Sequence, residues 1–193
     1  MDHKLNSPWT MYFFQRPEDG KDYAQGIHKI GKFSTCEEFW SIFSHVISPD
    51  KLPIASALQM FREDNRAMWE DEQNRNGGSF LIRFSKGLIP YYWERLVLGL
   101  IGEQMSSDVV GVIASPRQKY DLIYLWNKTS NDPNLRLQIC AEISRLLELP
   151  NRTRIEYSPF ASNNTNSKST VQYVIEASGP VERVFARSSS NNE

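Results

Sequence analysis

A tryptophan followed at once by three acids, Trp69-Glu70-Asp71-Glu72, stands in the middle of an irregular polar run from Arg62 to Asn76. A ring face in such a place can stack on any flat heterocycle, and its quadrupole attracts a cationic one more strongly. An ionised carboxylate beside it can accept two parallel N–H donors, which among purines only the N1–H and N2–H₂ edge of guanine supplies. Ring, cation and guanine edge together describe 7-methylguanosine. On these residues alone, a Trp69 that packs over its own loop beside a solvated acidic face explains the run as well, and stands ahead of the ligand reading.

The elements around that run decide where it can sit. Ala57-Leu58-Met60-Phe61 precede it; after it, Phe80 and Ile82 alternate with Leu81, Arg83 and Ser85 behind the turn residues Gly77-Gly78. Trp69 is therefore expected on a loop between two strands, where function tends to sit. Upstream, residues 1 to 7 are polar. Trp9 to Phe14 form an aromatic strand, and a loop containing Tyr23 leads to a second strand from Ile27 to Phe33 whose alternation is imperfect. Ser34-Thr35 before Glu37-Glu38 signals a helix start, and Phe39, Trp40, Phe43, Val46 and Ile47 recur at helical spacing up to Ser48-Pro49. Trp40, one residue on from Phe39, is turned about 100° from that stripe and falls at its rim.

Downstream, Trp93, Leu96, Val97, Leu100 and Ile101 mark a packing helix that ends near Gly102. Asp108 to Ala114 and Asp121 to Trp126 read as a hairpin whose connection carries two cations. A third helix spans Asn134 to Leu149, and short strands at Thr153 to Tyr157 and Val171 to Glu176 flank a loop rich in Asn, Ser and Thr. No internal repeat is present. Strands outnumber helices and short turns join neighbours, so the expected fold is α+β: one antiparallel sheet with three helices on one face and the other face open to a ligand.

Composition sets limits. A chain of 193 residues, 40% hydrophobic and 12% aromatic, suits one domain, here placed at 1–186, with a tail at 187–193 too polar to fold by itself. The formal charge of −1 excludes a protein that grips long duplexes through many phosphate contacts. Cys36 and Cys140 fall in helical segments, and neither a signal-type apolar core nor a membrane-spanning run occurs, which reads as an intracellular, reduced, soluble protein without a membrane partner.

The stretch MWEDEQNRNGGSFLIRF closely resembles the corresponding segment of the cap-binding translation initiation factor 4E family. The resemblance runs from His3 to the strand near Val174, strongest at HKLNSPW, KFSTCEEFW, MWEDEQNRNGG, GLIGEQ and DVVGVIASPRQK. It implies a curved antiparallel sheet with three helices on the convex back and the mRNA cap in the concave front. It assigns the cap base to Tyr23, Trp69, Glu70 and Trp126, and the cap phosphates to Arg117 and Lys119, with Lys168 as a partial substitute. Leu122 and Ser79 stand where relatives often carry cations, which weakens the phosphate grip. Tyr23, in place of a second tryptophan, makes the chain look most like the 4E homologous protein class, often a repressive cap binder.

On the back, the resemblance implies a surface for an amphipathic helical motif from a 4G-like scaffold factor or a 4E-binding protein. His3, Trp40, Glu94 and Arg95 map to it, although Lys4, Cys36, Glu94 and Arg95 depart from the family pattern and Arg95 reverses a charge. The implied role is in translation initiation or its regulation, in the cytoplasm, with the nucleus as an additional location. A repressor that competes for the cap is the alternative, and a general single-stranded RNA module a further one. An enzyme built on Glu70, Asp71 and Glu72 fits poorly: adjacent loop carboxylates do not face one another, and His3, His28 and His45 are scattered. Neither a metal nor a cofactor is expected.

Overall fold

The computed structural model describes residues 2–18, 22–161 and 170–183. Lys168 and the tail at 187–193 lie outside them. In chain order the elements are β1 (Lys4–Gln15), β2 (Ile27–Thr35), α1 (Cys36–Phe43), β3 (Ser56–Arg62), β4 (Gly78–Phe84), α2 (Ile89–Ile101), β5 (Val109–Pro116), β6 (Asp121–Asn127), α3 (Pro133–Leu147), β7 (Arg154–Pro159), β8 (Val171–Glu176) and β9 (Gly179–Arg183). Among the described residues nine strands form one open sheet in the order β2-β1-β3-β5-β6-β4-β7-β8-β9, antiparallel at every step.

Strand periodicity divides the apolar residues between two faces. Met11, Leu58, Met60, Phe80, Ile82, Val112, Ile123 and Leu125 point to one side, where they pack with Phe39 of α1, Trp93, Leu96 and Val97 of α2, and Ile139 and Ile143 of α3. Tyr12, Ala57, Phe61, Val110, Ile113 and Trp126 gather on the other, with Phe160, and among the described residues no helix joins them. This is the fold class expected of the sequence, with all three helices behind the sheet and a front left open.

Local chemistry sets the ends. Thr35 and Glu38 form the reciprocal capping box at the start of α1. Asp132 caps α3 through Asn134 N and Leu135 N, with Pro133 in the first turn, and Glu148 ends the helix in the left-handed region at φ 53°. The structure corrects three expectations. The first strand reaches back to Lys4, which pairs with Thr35. Helix α1 stops at Phe43, where the Ser44 hydroxyl bonds the Trp40 carbonyl at 2.6 Å, so Ile47 lies beyond it and is 51% exposed rather than in the buried stripe. The imperfect alternation of β2 is a register shift opposite Met11/Tyr12, where Gly31 and Lys29 are the paired residues and Ile30 is the extra one.

Gly77-Gly78, expected as turn residues, do end the loop, with Gly77 N closing a turn on the Asn74 carbonyl at 2.8 Å, but left-handed backbone is not what the pair provides. Neither has a positive φ. What they supply is space: a Cβ on Gly77 would lie 2.1 Å from the Asn127 carbonyl oxygen, and one on Gly78 2.2 Å from the Tyr157 hydroxyl. Gly78→Ala should therefore destabilise the protein by about 1 to 3 kcal/mol, the usual cost of overpacking a filled site. Urea unfolding measures this, and an unchanged midpoint would mean that β7 can retreat freely.

Candidate functional site

The loop between β3 and β4 has an interior. Asn65 and Asn74 are buried within it and their amides bond each other, Asn65 Nδ2 to Asn74 Oδ1 at 2.9 Å and Asn74 Nδ2 to Asn65 Oδ1 at 3.0 Å. Asn74 Nδ2 also reaches the carbonyls of Met68 at 2.8 Å and Arg66 at 3.1 Å, while Gln73 Nε2 donates to Asn65 Oδ1 at 2.9 Å. Backbone turns close the rest, Asp71 N to Met68 O and Asn74 N to Asp71 O. The polar composition of the run gives no sign of this interior. The two buried amides tie down the backbone on either side of Met68, and the next residue, Trp69, is held against the front aromatic cluster.

In front of the sheet this creates a cleft of about 280 Å³. Tyr23 and Trp69 both wall it, Trp126 and Gln59 line its floor, and Arg117 and Tyr124 stand toward the β5–β6 hairpin. Tyr23 sits on a single 3₁₀ turn, Tyr23–Gly26, whose start is capped by Asp22 accepting from Ala24 N at 3.1 Å. Its ring lies 4.6 Å from that of Phe14 and is 45% exposed. Trp126 is buried, edge-on to Phe61 with centroids 5.4 Å apart and tilted against Phe160 at 4.4 Å. Phe160, on the segment after β7, drew no attention in the sequence, since one aromatic beside a polar loop carries no spacing signal.

Burial pushes the phenols of Tyr23 and Tyr124 up, so both stay protonated at neutral pH; Tyr124 is pulled partly back by the Arg117 guanidinium beside it. The hairpin that carries Arg117 is itself anchored: Lys86 Nζ bridges the buried Asp121 Oδ1 at 2.5 Å and the Arg117 carbonyl at 2.9 Å. Of the residues singled out from sequence, Tyr23, Trp69, Trp126 and Arg117 thus meet at one cleft. Glu70 lines an adjoining hollow of about 350 Å³ that shares Trp69 and Phe160 with it, and its charge contributes to the rise at Tyr23. Lys119 is exposed on the hairpin turn and is not among the lining residues. Leu122 is buried, and Ser79 lines the cleft wall.

The helix face carries the other set. Trp40 is 49% exposed, edge-on to Phe39 at 4.9 Å and Phe43 at 5.9 Å, at the rim as its helical angle required. His3 Nδ1 pairs with Glu37 Oε1 at 2.6 Å and holds that carboxyl below its usual range, while the His3 carbonyl accepts from Cys36 N at 2.8 Å. Glu94 faces a small hollow with Phe43, Val46 and Pro90. Arg95 is turned onto α3: its Nε donates to the Leu146 carbonyl at 2.9 Å, its Nη2 pairs with Glu148 Oε1 at 2.9 Å, and it covers the Tyr91 ring at 5.2 Å.

Asn74 gives the site a direct test. Asn74→Ala removes four side-chain hydrogen bonds at once, three donated by Nδ2 and one accepted by Oδ1, and leaves buried partners unpaired, at a cost of about 1 to 3 kcal/mol. Hydrogen exchange should show faster exchange at Asp71, Asn74 and Gly77 while amides of β3 and β4 keep their protection. Uniform loss across the sheet, or none in the loop, would show that the amide pair does not hold Trp69 in place.

Comparison with known proteins agrees with this architecture. The family model for eukaryotic initiation factor 4E matches residues 4–174. Among curated relatives, eukaryotic translation initiation factor NCBP of Triticum aestivum is 37% identical over 170 residues, covering 86% of this chain and 73% of that one. Among solved structures, Ascaris suum eIF4E-3 in complex with an m2,2,7G cap superposes with a TM-score of 0.79 at 28% identity, covering 88% of this chain and 97% of that one. Schistosome eIF4E complexed with m7GpppG and 4E-BP does so at 0.78 and 27%, covering 88% and 94%. With the family model spanning nearly the whole described chain and the fold shared throughout, this protein belongs to the eukaryotic initiation factor 4E family.

Proposed function

We propose that this chain binds the 7-methylguanosine cap of mRNA in the front cleft and takes part in translation initiation or its regulation through a partner on the helix face. The observation that carries this is the pair Tyr23 and Trp69, two rings from separate loops that wall one cleft above Trp126. A methylated, cationic purine between two rings gains on both faces. Trp126 meets the N7 edge, and Glu70, next to Trp69, reads the N1–H and N2–H₂ edge. Arg117 takes the phosphates, with Lys119 and Lys168 assisting. That related structures were solved with cap analogues, and one with 4E-BP as well, supports the reading.

Binding rather than turnover is the activity we assign, since the cleft is walled by rings, small residues, an amide and an arginine, without a histidine or cysteine in its lining. We place the chain as one cap-binding domain over 1–186, acting in the cytoplasm; no described helix is long and apolar enough to cross a membrane. Competition for the cap without support of initiation is the second reading. It is favoured by Arg95, which spends its charge on α3 and Glu148 where the family offers an acid to its partner peptide, and by the cap tyrosine of the 4E homologous protein class.

Two measurements test the two faces. Tryptophan fluorescence quenching should show 7-methylguanosine triphosphate bound about tenfold to a thousandfold more tightly than GTP, from two cation–ring contacts of about 0.5 to 2 kcal/mol each. Glu70→Ala should cost about 1 to 3 kcal/mol, the scale of a bidentate base contact. Equal affinity for both nucleotides would refute the base reading. On the back, Trp40→Ala should lose at least about 2 kcal/mol of affinity for the natural helical partner, while cap affinity stays within about twofold because the sites lie on opposite faces. A variant that binds the partner undiminished, or that loses the cap as well, would place the partner surface elsewhere.

A further inference from the structure

Gln59 brings an unsatisfied polar atom to the floor of the cleft. The residue is 1% exposed and lines the cleft, yet its Oε1 has no hydrogen-bond partner. A buried acceptor left without a donor is costly, and in a cleft the missing donor is a candidate ligand group. Two neighbouring polar groups are occupied. The Ser115 hydroxyl donates to the Ser56 carbonyl at 3.1 Å, and the Tyr124 phenol lies beside the Arg117 guanidinium. The Gln59 amide also hydrogen-bonds the Tyr23 phenol, a contact that leaves its Oε1 without a donor.

Sheet register locates that oxygen along the ligand. Phe61 pairs with Gly111 and Gly111 with Trp126; Gln59 pairs with Ile113 and Ile113 with Tyr124. Gln59 therefore stands two residues, about 7 Å, from the row of Trp126 in the direction of the hairpin, and Arg117 lies further along β5 the same way. A nucleotide with its N7 edge at Trp126 and its phosphates at Arg117 lays its sugar across the row between. An ionised triphosphate has no donor to offer, and the N–H edge of the base belongs to Glu70. The sugar hydroxyls remain.

We propose that Gln59 accepts a hydrogen bond from a ribose hydroxyl of the bound cap nucleotide and so makes the cleft selective for ribose on the methylated guanine. The inference rests on the cap-binding reading above. Calorimetry with 7-methylguanosine triphosphate and its 2′-deoxy and 3′-deoxy forms tests it on the intact chain and on Gln59→Leu. The wild type should lose about five- to tenfold on removal of one of the two hydroxyls, the scale of one buried hydrogen bond. Gln59→Leu should bind the full nucleotide about that much more weakly and no longer distinguish the deoxy form, while keeping its preference for the methylated base. The wild-type comparison stands whether or not the variant folds. Equal affinity of the wild type for all three nucleotides overturns the proposal. So does a Gln59→Leu protein that weakens all three by one common factor, since that residue would then act through Tyr23. Loss of the preference over GTP in the wild type, by contrast, would strike the cap reading itself.

Discussion

Everything the front of this protein can do depends on an amide pair hidden beneath a polar loop. Asn65 and Asn74 satisfy each other, and Asn74 also holds the carbonyls of Arg66 and Met68, so the backbone entering Trp69 has little freedom. A half-buried indole on an unsupported loop of this length would collapse onto the nearest apolar surface, because burying its area is worth more than any exposed hydrogen bond. Held from below, it instead lines the cleft that Tyr23 also lines. The ordering of the loop is thus completed before any ligand arrives, which lowers the entropy that binding must offset.

The second constraint is the period of the strands. Met60 and Phe61 are neighbours in sequence but serve opposite faces, one in the core under the helices and the other as the edge-on support of Trp126. Every central strand is shared in this way between a closed back and an open front. A slip of one residue would exchange the two sets, so the packing of three helices on the back also fixes which residues line the cleft. Mutations in the core can therefore disturb the cleft through register, whereas substitutions at an exposed rim residue such as Trp40 leave the sheet intact.

Much of this was legible because the signals were periodic or local. The helical stripes of α2 and α3, the capping box at Thr35 and the loop placement of Trp69 all follow from short-range pattern. The end of α1 did not, since Val46 and Ile47 continue its spacing and only the tightening of the backbone, His45 N to the Ile42 carbonyl and Val46 N to that of Phe43, shows where it stops. Strand β9 was missed because Gly179-Pro180 at its start reads as a break, although proline is tolerated on an edge strand such as this. Tyr23 and Arg117 came from family likeness alone. Gln59, Phe160 and the Asn65–Asn74 pair had no such guide: their roles exist only where distant segments meet, and nothing in the spacing of a lone Gln, Phe or Asn reveals that.

The central claim is that the methylated base lies between Tyr23 and Trp69, and an NMR spectrum of the complex with 7-methylguanosine triphosphate tests it most directly. A base sandwiched by two rings must show its N7-methyl and H8 protons shifted upfield, with nuclear Overhauser contacts to both side chains and from the methyl to Trp126. Contacts to only one of the two rings, or an unshifted methyl resonance in the bound state, would contradict the account.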